Sequence, residues 1–84
     1  MANHKTKTQE RSAACKELFC KTLKELRNFR QFTQQDVAQG IGVAVSTYAN
    51  WEQGRTEPGI GDIYNLLVFY DIKADELFDI SSIQ

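Results

Sequence analysis

A helical pattern that stops after eight residues sets the terms for this chain. From Gln34 to Ile41 the apolar residues Val37, Ala38 and Ile41 follow helical spacing. Thr33 stands before them as a hydroxyl N-cap, with Asp36 three residues on in the manner of a capping box. Gly40 and Gly42 then flank Ile41. Glycine takes the left-handed backbone angles of a tight turn at low cost, so this helix must be short. A second short pattern follows from Val45 to Gln53 and stops at Gly54.

The other elements are also helical. Leu18, Phe19, Leu23, Leu26 and Phe29 recur at three to four residues and predict an amphipathic helix from Ser12 to Arg30. "RTEPGIG" is a loop by its proline and glycine content, after which Asp62 to Tyr70 and Ala74 to Ile80 predict two more helices. No alternating run competes as a strand. The expected organisation is a flexible basic leader over 1–11, one domain over 12–80 and a short tail over 81–84. A chain of 84 residues with 42% apolar side chains has room for one small core.

Composition narrows the function. No window has the roughly 18 to 20 apolar residues of a membrane span, and a cytoplasmic location with no membrane partner is expected. Cys15 and Cys20 would lie about 140° apart around a helix, so they are read as free thiols. His4 is the single histidine. With no usual zinc spacing and no nucleophile–base pair, neither a metal nor a cofactor nor an enzyme is expected. The net charge of -1 hides an asymmetry. Residues 1–30 carry eight basic and three acidic side chains, and residues 31–84 carry two basic and eight acidic ones. One reading is a set of solvated helix faces; the other is a basic surface aimed at phosphate, with acidic groups kept away from it.

Two short helices joined by a glycine-containing turn are the outline of a helix-turn-helix. Its detail lies in "QQDVAQGIGVAVSTYANWEQ", where Ala38 sits at a close crossing and Val37, Ile41, Val43, Tyr48 and Trp51 fall on the inward side. Together with "FTQQDVAQGIGV", "WEQGRTEP" and "IKADELF", this segment resembles the DNA-binding domain of the lambda-repressor-like family, also called Cro/cI-type or XRE-type. The similarity runs from Leu23 to Phe78. It implies an all-α fold, a five-helix lambda-repressor-like bundle containing a helix-turn-helix, with the third helix placed in the major groove of double-stranded DNA. It also implies an ion pair between Arg27 and Glu52 that fixes the first helix against the third.

At 100° per residue, Tyr48 and Trp51 share the side of Val43 and Glu52, while Val45, Ser46, Ala49, Asn50 and Gln53 turn away from it. The aromatics are therefore read as core and the other face as a contact surface. Asn50 has the amide that can pair twice with adenine, and Val45 and Ala49 suit a thymine methyl. Ser46, small like Val45 and Ala49, lets the helix sit deep, and the resemblance adds Ala44 and Thr47 to the DNA-facing set. It gives Gln34, through its backbone N–H and side-chain amide, and Arg55 with Thr56 to the phosphates. Three positions depart from the family pattern. Ala44 replaces the usual hydroxyl cap, Gln31 stands where glycine commonly ends the first helix, and Glu57 stands where a basic residue would aid affinity.

The fourth helix is apolar nearly all round. The resemblance turns Ile60, Ile63, Leu66, Leu67 and Tyr70 to the core, leaving Tyr64, Val68 and Phe69 as surplus apolar surface for a partner. A homodimer on a palindromic site is the expected use. The chain then reads as a small dimeric repressor. The alternative is a protein-interaction module, such as an antitoxin or a subunit of a regulatory complex, that binds a protein partner through the fourth helix.

Overall fold

The computed structural model describes residues 6–78, and these form five helices. They are α1 (Lys7–Phe29), α2 (Gln34–Ile41), α3 (Val45–Glu52), α4 (Ile60–Tyr70) and α5 (Ala74–Phe78). No described residue is in a strand. The predicted end of the fifth helix at Ile80, and the tail over 81–84, lie outside the described residues.

The first helix starts five residues before the expected Ser12, and Lys7 to Arg11, read as leader, are its first turns. The cause is a start signal in Thr6 and Gln9. The Thr6 hydroxyl accepts from the Gln9 N–H at 3.1 Å, and the Gln9 side-chain oxygen accepts from the Thr6 N–H at 2.7 Å, so two N–H groups that a helix end leaves orphaned are satisfied. The Thr33–Asp36 box at the start of α2 forms as expected, at 3.0 and 2.8 Å. The fourth helix also starts early, at Ile60, where Asp62 accepts from the Gly59 N–H at 3.2 Å.

Helices α1 to α4 share one ending. The residue after the last turn is left-handed, at Gln31, Gly42, Gly54 and Asp71. In each case the following N–H reaches back five residues, as from Phe32 to Arg27 and from Val43 to Ala38, both at 3.0 Å. This is the Schellman arrangement. At Gln31, with φ +60, it is made by a residue whose Cβ opposes it. Gln31→Gly should therefore stabilise the domain by about 1 kcal/mol, the relief of left-handed strain offset in part by a more flexible unfolded chain. Urea titration should show the midpoint rise at constant slope.

Packing places α2 on α3 and α4, and α1 along α3 and α5. The core holds Phe19, Leu23, Val37, Ala38, Ile41, Tyr48, Trp51, Leu66, Tyr70 and Leu77. Two expected core positions fail. Phe29 is 83% exposed, because α1 ends there and Phe32, from the turn, takes the space beside α4. The Phe32 ring centroid is 5.4 Å from that of Phe69 and 6.4 Å from that of Tyr70. Ile60, 89% exposed, stands on the first turn of α4, on the side away from the core.

Phe69, expected at a dimer interface, instead packs half-buried against its own core. The reason is Gly40. A Cβ on that residue would overlap the Phe69 ring, so the missing side chain of α2 makes the berth for an aromatic of α4. Gly40 belongs to the helix rather than to the turn after it.

Candidate nucleic-acid interface

The third helix divides as its period requires. Tyr48, Trp51 and Glu52 are buried, with Tyr48 fully enclosed and Trp51 2% exposed. The Tyr48 and Trp51 rings meet edge to face at 6.0 Å. Ser46 and Gln53 on the opposite side are exposed, as are Ala44 at the N-cap and Val45 and Thr47 on the first turn, and Ala49 and Asn50 are half-buried. No charged side chain lies between Ala44 and Asn50. The backbone enters α3 at Ala44 with no side-chain cap. Arg55 and Thr56 follow the helix and are exposed.

Behind this face lies a polar network. The Arg27 guanidinium grips Glu52 with two parallel bonds, Nε to Oε2 at 2.7 Å and Nη2 to Oε1 at 3.1 Å. Its Nη1 donates to the Phe32 carbonyl at 3.2 Å. Such a two-pronged pair is directional, and it ties α1 to α3 at a fixed angle. Glu52 is 3% exposed. Burial alone would raise its carboxyl, but the Arg27 bond, with smaller help from Tyr48 and Gln34, holds it below the usual carboxylate range. The Tyr48 hydroxyl comes near that carboxylate without closing a hydrogen bond. Burial pushes the Tyr48 hydroxyl well up and the Tyr70 hydroxyl up to about 12. Both therefore stay protonated near neutrality.

Gln34 differs from its expected role. Its side-chain amide Nε2 donates to Glu52 Oε1 at 3.1 Å, so it serves the network that aligns α2 with α3. Its backbone N–H remains among the first-turn donors of α2, which have no acceptor within the helix. Simple spacing could not reveal this, since Gln34 and Glu52 are 18 residues apart.

The basic segment is also more occupied than its charge count suggests. Arg30 Nη2 donates to the Tyr70 carbonyl at 2.9 Å and the guanidinium lies 5.6 Å from the Tyr70 ring centroid. It thus closes the C-terminal end of α4, where a cation meets the helix dipole. Lys16 pairs with Glu57 at 2.8 Å on the surface. Cys20, half-buried, donates its thiol proton to the Trp51 carbonyl at 3.2 Å and so helps finish α3. Lys7, Arg11, Lys21 and Lys24 remain exposed. Among the described residues there is no group of three His, Cys, Asp or Glu side chains able to hold a metal, and no helix long and apolar enough to cross a membrane.

The helix-turn-helix family model matches residues 23–77. Over 60 residues the chain is 35% identical to the cryptic phage CTXphi transcriptional repressor RstR of Vibrio cholerae, an alignment covering 71% of this chain and 54% of that protein. Over 64 residues it is 27% identical to the HTH-type transcriptional regulator YobD of Bacillus subtilis, covering 76% and 57%. The chain thus spans little more than half the length of these curated relatives. No solved structure matches it. The match of Leu23 to Leu77 takes in the capped α2, the turn at Gly42 and the Arg27–Glu52 pair, and the family is a non-enzymatic one. The chain belongs to the helix-turn-helix family, in the lambda-repressor-like, XRE-type branch that its motifs resemble.

Proposed function

We propose that this chain is a sequence-specific, cytoplasmic DNA-binding transcriptional regulator, a small dimeric repressor that reads a palindromic site with α3 in the major groove. The observation that carries the reading is the outward face of α3, which is small, uncharged from Ala44 to Asn50, and backed by a fully packed inward face. Solvent faces of helices usually carry Lys and Glu, whereas a helix that enters a groove needs short side chains and a few directed amides. The repressor and regulator named among its relatives support the same use. In this reading Ala44, Val45, Ser46, Thr47, Ala49 and Asn50 face the bases. The Gln34 backbone N–H, Arg55 and Thr56 hold phosphate, and the apolar outer side of α4, with Tyr64 and Val68, joins two copies.

Asn50→Ala should weaken binding to the preferred site by about 1 to 3 kcal/mol and relax base preference at one position, leaving binding to random duplex unchanged. Arg55→Ala is the control. It should weaken all duplexes alike and make the slope of log K against log salt shallower by about one unit. Selection of bound sequences from random DNA supplies the preferred site. Equal losses by Asn50→Ala on selected and random DNA would remove Asn50 from the reading role. Absence of duplex binding even at low salt would favour the second reading, a protein-interaction module of antitoxin or regulatory-subunit type working through α4.

A further inference from the structure

The outward arc of α4 covers about 140° of the helix at 100° per residue. It holds Ile60, Gly61, Tyr64, Asn65 and Val68, all exposed, while Leu66 and Tyr70 are fully buried opposite. No side chain on the arc is charged. The carboxylate of α4, Asp62, lies off the arc, half-buried, and caps Gly59 at 3.2 Å. Ile60, Tyr64 and Val68 are 89, 66 and 61% exposed and stand one turn apart. They make a stripe with an aliphatic residue at each end and a tyrosine at its centre, and such a stripe reads the same in both directions.

A two-fold interface sets one patch against itself, so a patch that meets its own reverse is self-complementary. It also sets every charge near the axis against its own copy, a repulsion that this arc avoids. We propose that the stripe pairs antiparallel with the stripe of a second copy of this chain, the axis passing beside Tyr64. Tyr64 then meets the partner's Tyr64, and Ile60 meets the partner's Val68. This inference rests on the dimeric reading above and gives it a geometry, with Ile60 in the place that Phe69, packed against its own core, cannot fill. Three side chains and the helix flanks beside them fall short of the roughly 800 Å² per partner of a standard stable interface. The pair is therefore weak in free solution and forms when a palindromic site holds both copies at high effective concentration.

Cysteine placement tests the axis. In a Cys15→Ser, Cys20→Ser background, Tyr64→Cys should give a covalent dimer under mild oxidation on duplex carrying the selected site. Ile60→Cys alone and Val68→Cys alone should not, because each would have to bridge eight residues of helix, about 12 Å, against a Cα separation limit of about 7 Å for a disulfide. An equimolar mixture of the Ile60→Cys and Val68→Cys proteins should cross-link. All three positions are exposed, and melting curves verify that the variants fold. Two copies per duplex by sedimentation, with no Tyr64→Cys cross-link or with Ile60→Cys linking to itself, would overturn this pairing while leaving the dimeric reading intact. One copy per duplex would overturn both. If no duplex binds, the same cysteine pattern at high protein concentration decides the pairing independently of DNA.

Discussion

Trp51→Ala should cost about 3 to 5 kcal/mol, the range for a large aromatic removed from a core, because the ring is 2% exposed and packs edge to face on Tyr48. Domains of this kind are stable by about 5 to 15 kcal/mol in total, so a large part of the stability goes with one side chain. DNA binding should then fail through unfolding rather than through loss of a contact. Far-UV circular dichroism and a thermal melt separate the two. A Trp51→Ala protein of unchanged helicity and melting temperature would put the indole on the outward face of α3 instead.

The second large effect is expected at Arg27. Arg27→Met keeps the aliphatic bulk and leaves Glu52 buried without its cation, a loss that for buried pairs is about 3 to 5 kcal/mol. The pH dependence identifies the cause. In the natural chain the folded-state pKa of Glu52 is lowered, so the unfolded chain binds more protons. The stabilisation from Glu52 is complete above the unfolded value of about 4.3 and is lost as the pH falls through the lower folded value. Without Arg27 the sign reverses, since burial then dominates and raises the folded pKa above the unfolded one. The deficit of the variant should therefore be largest near neutral pH and shrink on acidification as Glu52 takes up a proton. Urea titrations of both proteins from pH 7 to pH 3 measure this directly, and a deficit independent of pH would mean that Arg27 matters by packing alone.

Helix number, the α2 cap, the turn at Gly42 and the two-sidedness of α3 were all legible in the sequence, because each is encoded within about one helical period. The inward Tyr48 and Trp51 and the outward Ser46 and Gln53 follow from 100° per residue, whereas Val45, only about 60° from Tyr48 on the same count, is exposed because it stands on the first turn. What was not legible depends on contacts distant in sequence. Phe29 and Phe32 both suit a core, and the Schellman turn at Gln31 decides which of them reaches it. Phe69 reads as surplus until Gly40 is seen to make room for its ring. The Gln34 amide reads as a phosphate donor until Glu52, brought beside it by the crossing of α2 and α3, accepts it. The early start of α1 is a different kind of miss, since Thr6 and Gln9 carry the capping signal in plain view.

The way α3 is held has a consequence for how such a protein can diversify. Everything that fixes the helix, the Tyr48 and Trp51 rings, the Arg27–Glu52–Gln34 network and the Cys20 thiol at its last turn, grips it from behind or at its end. Val45, Ser46 and Gln53 take no part in that grip. Substitutions at such exposed positions usually move stability by less than about 0.5 kcal/mol, so they can be exchanged in combination with little risk to folding. On the function proposed above, one scaffold could then be re-addressed to many DNA sites by changing a few letters on one side of an eight-residue helix, and two genes that differed there would regulate separate targets while sharing the same architecture.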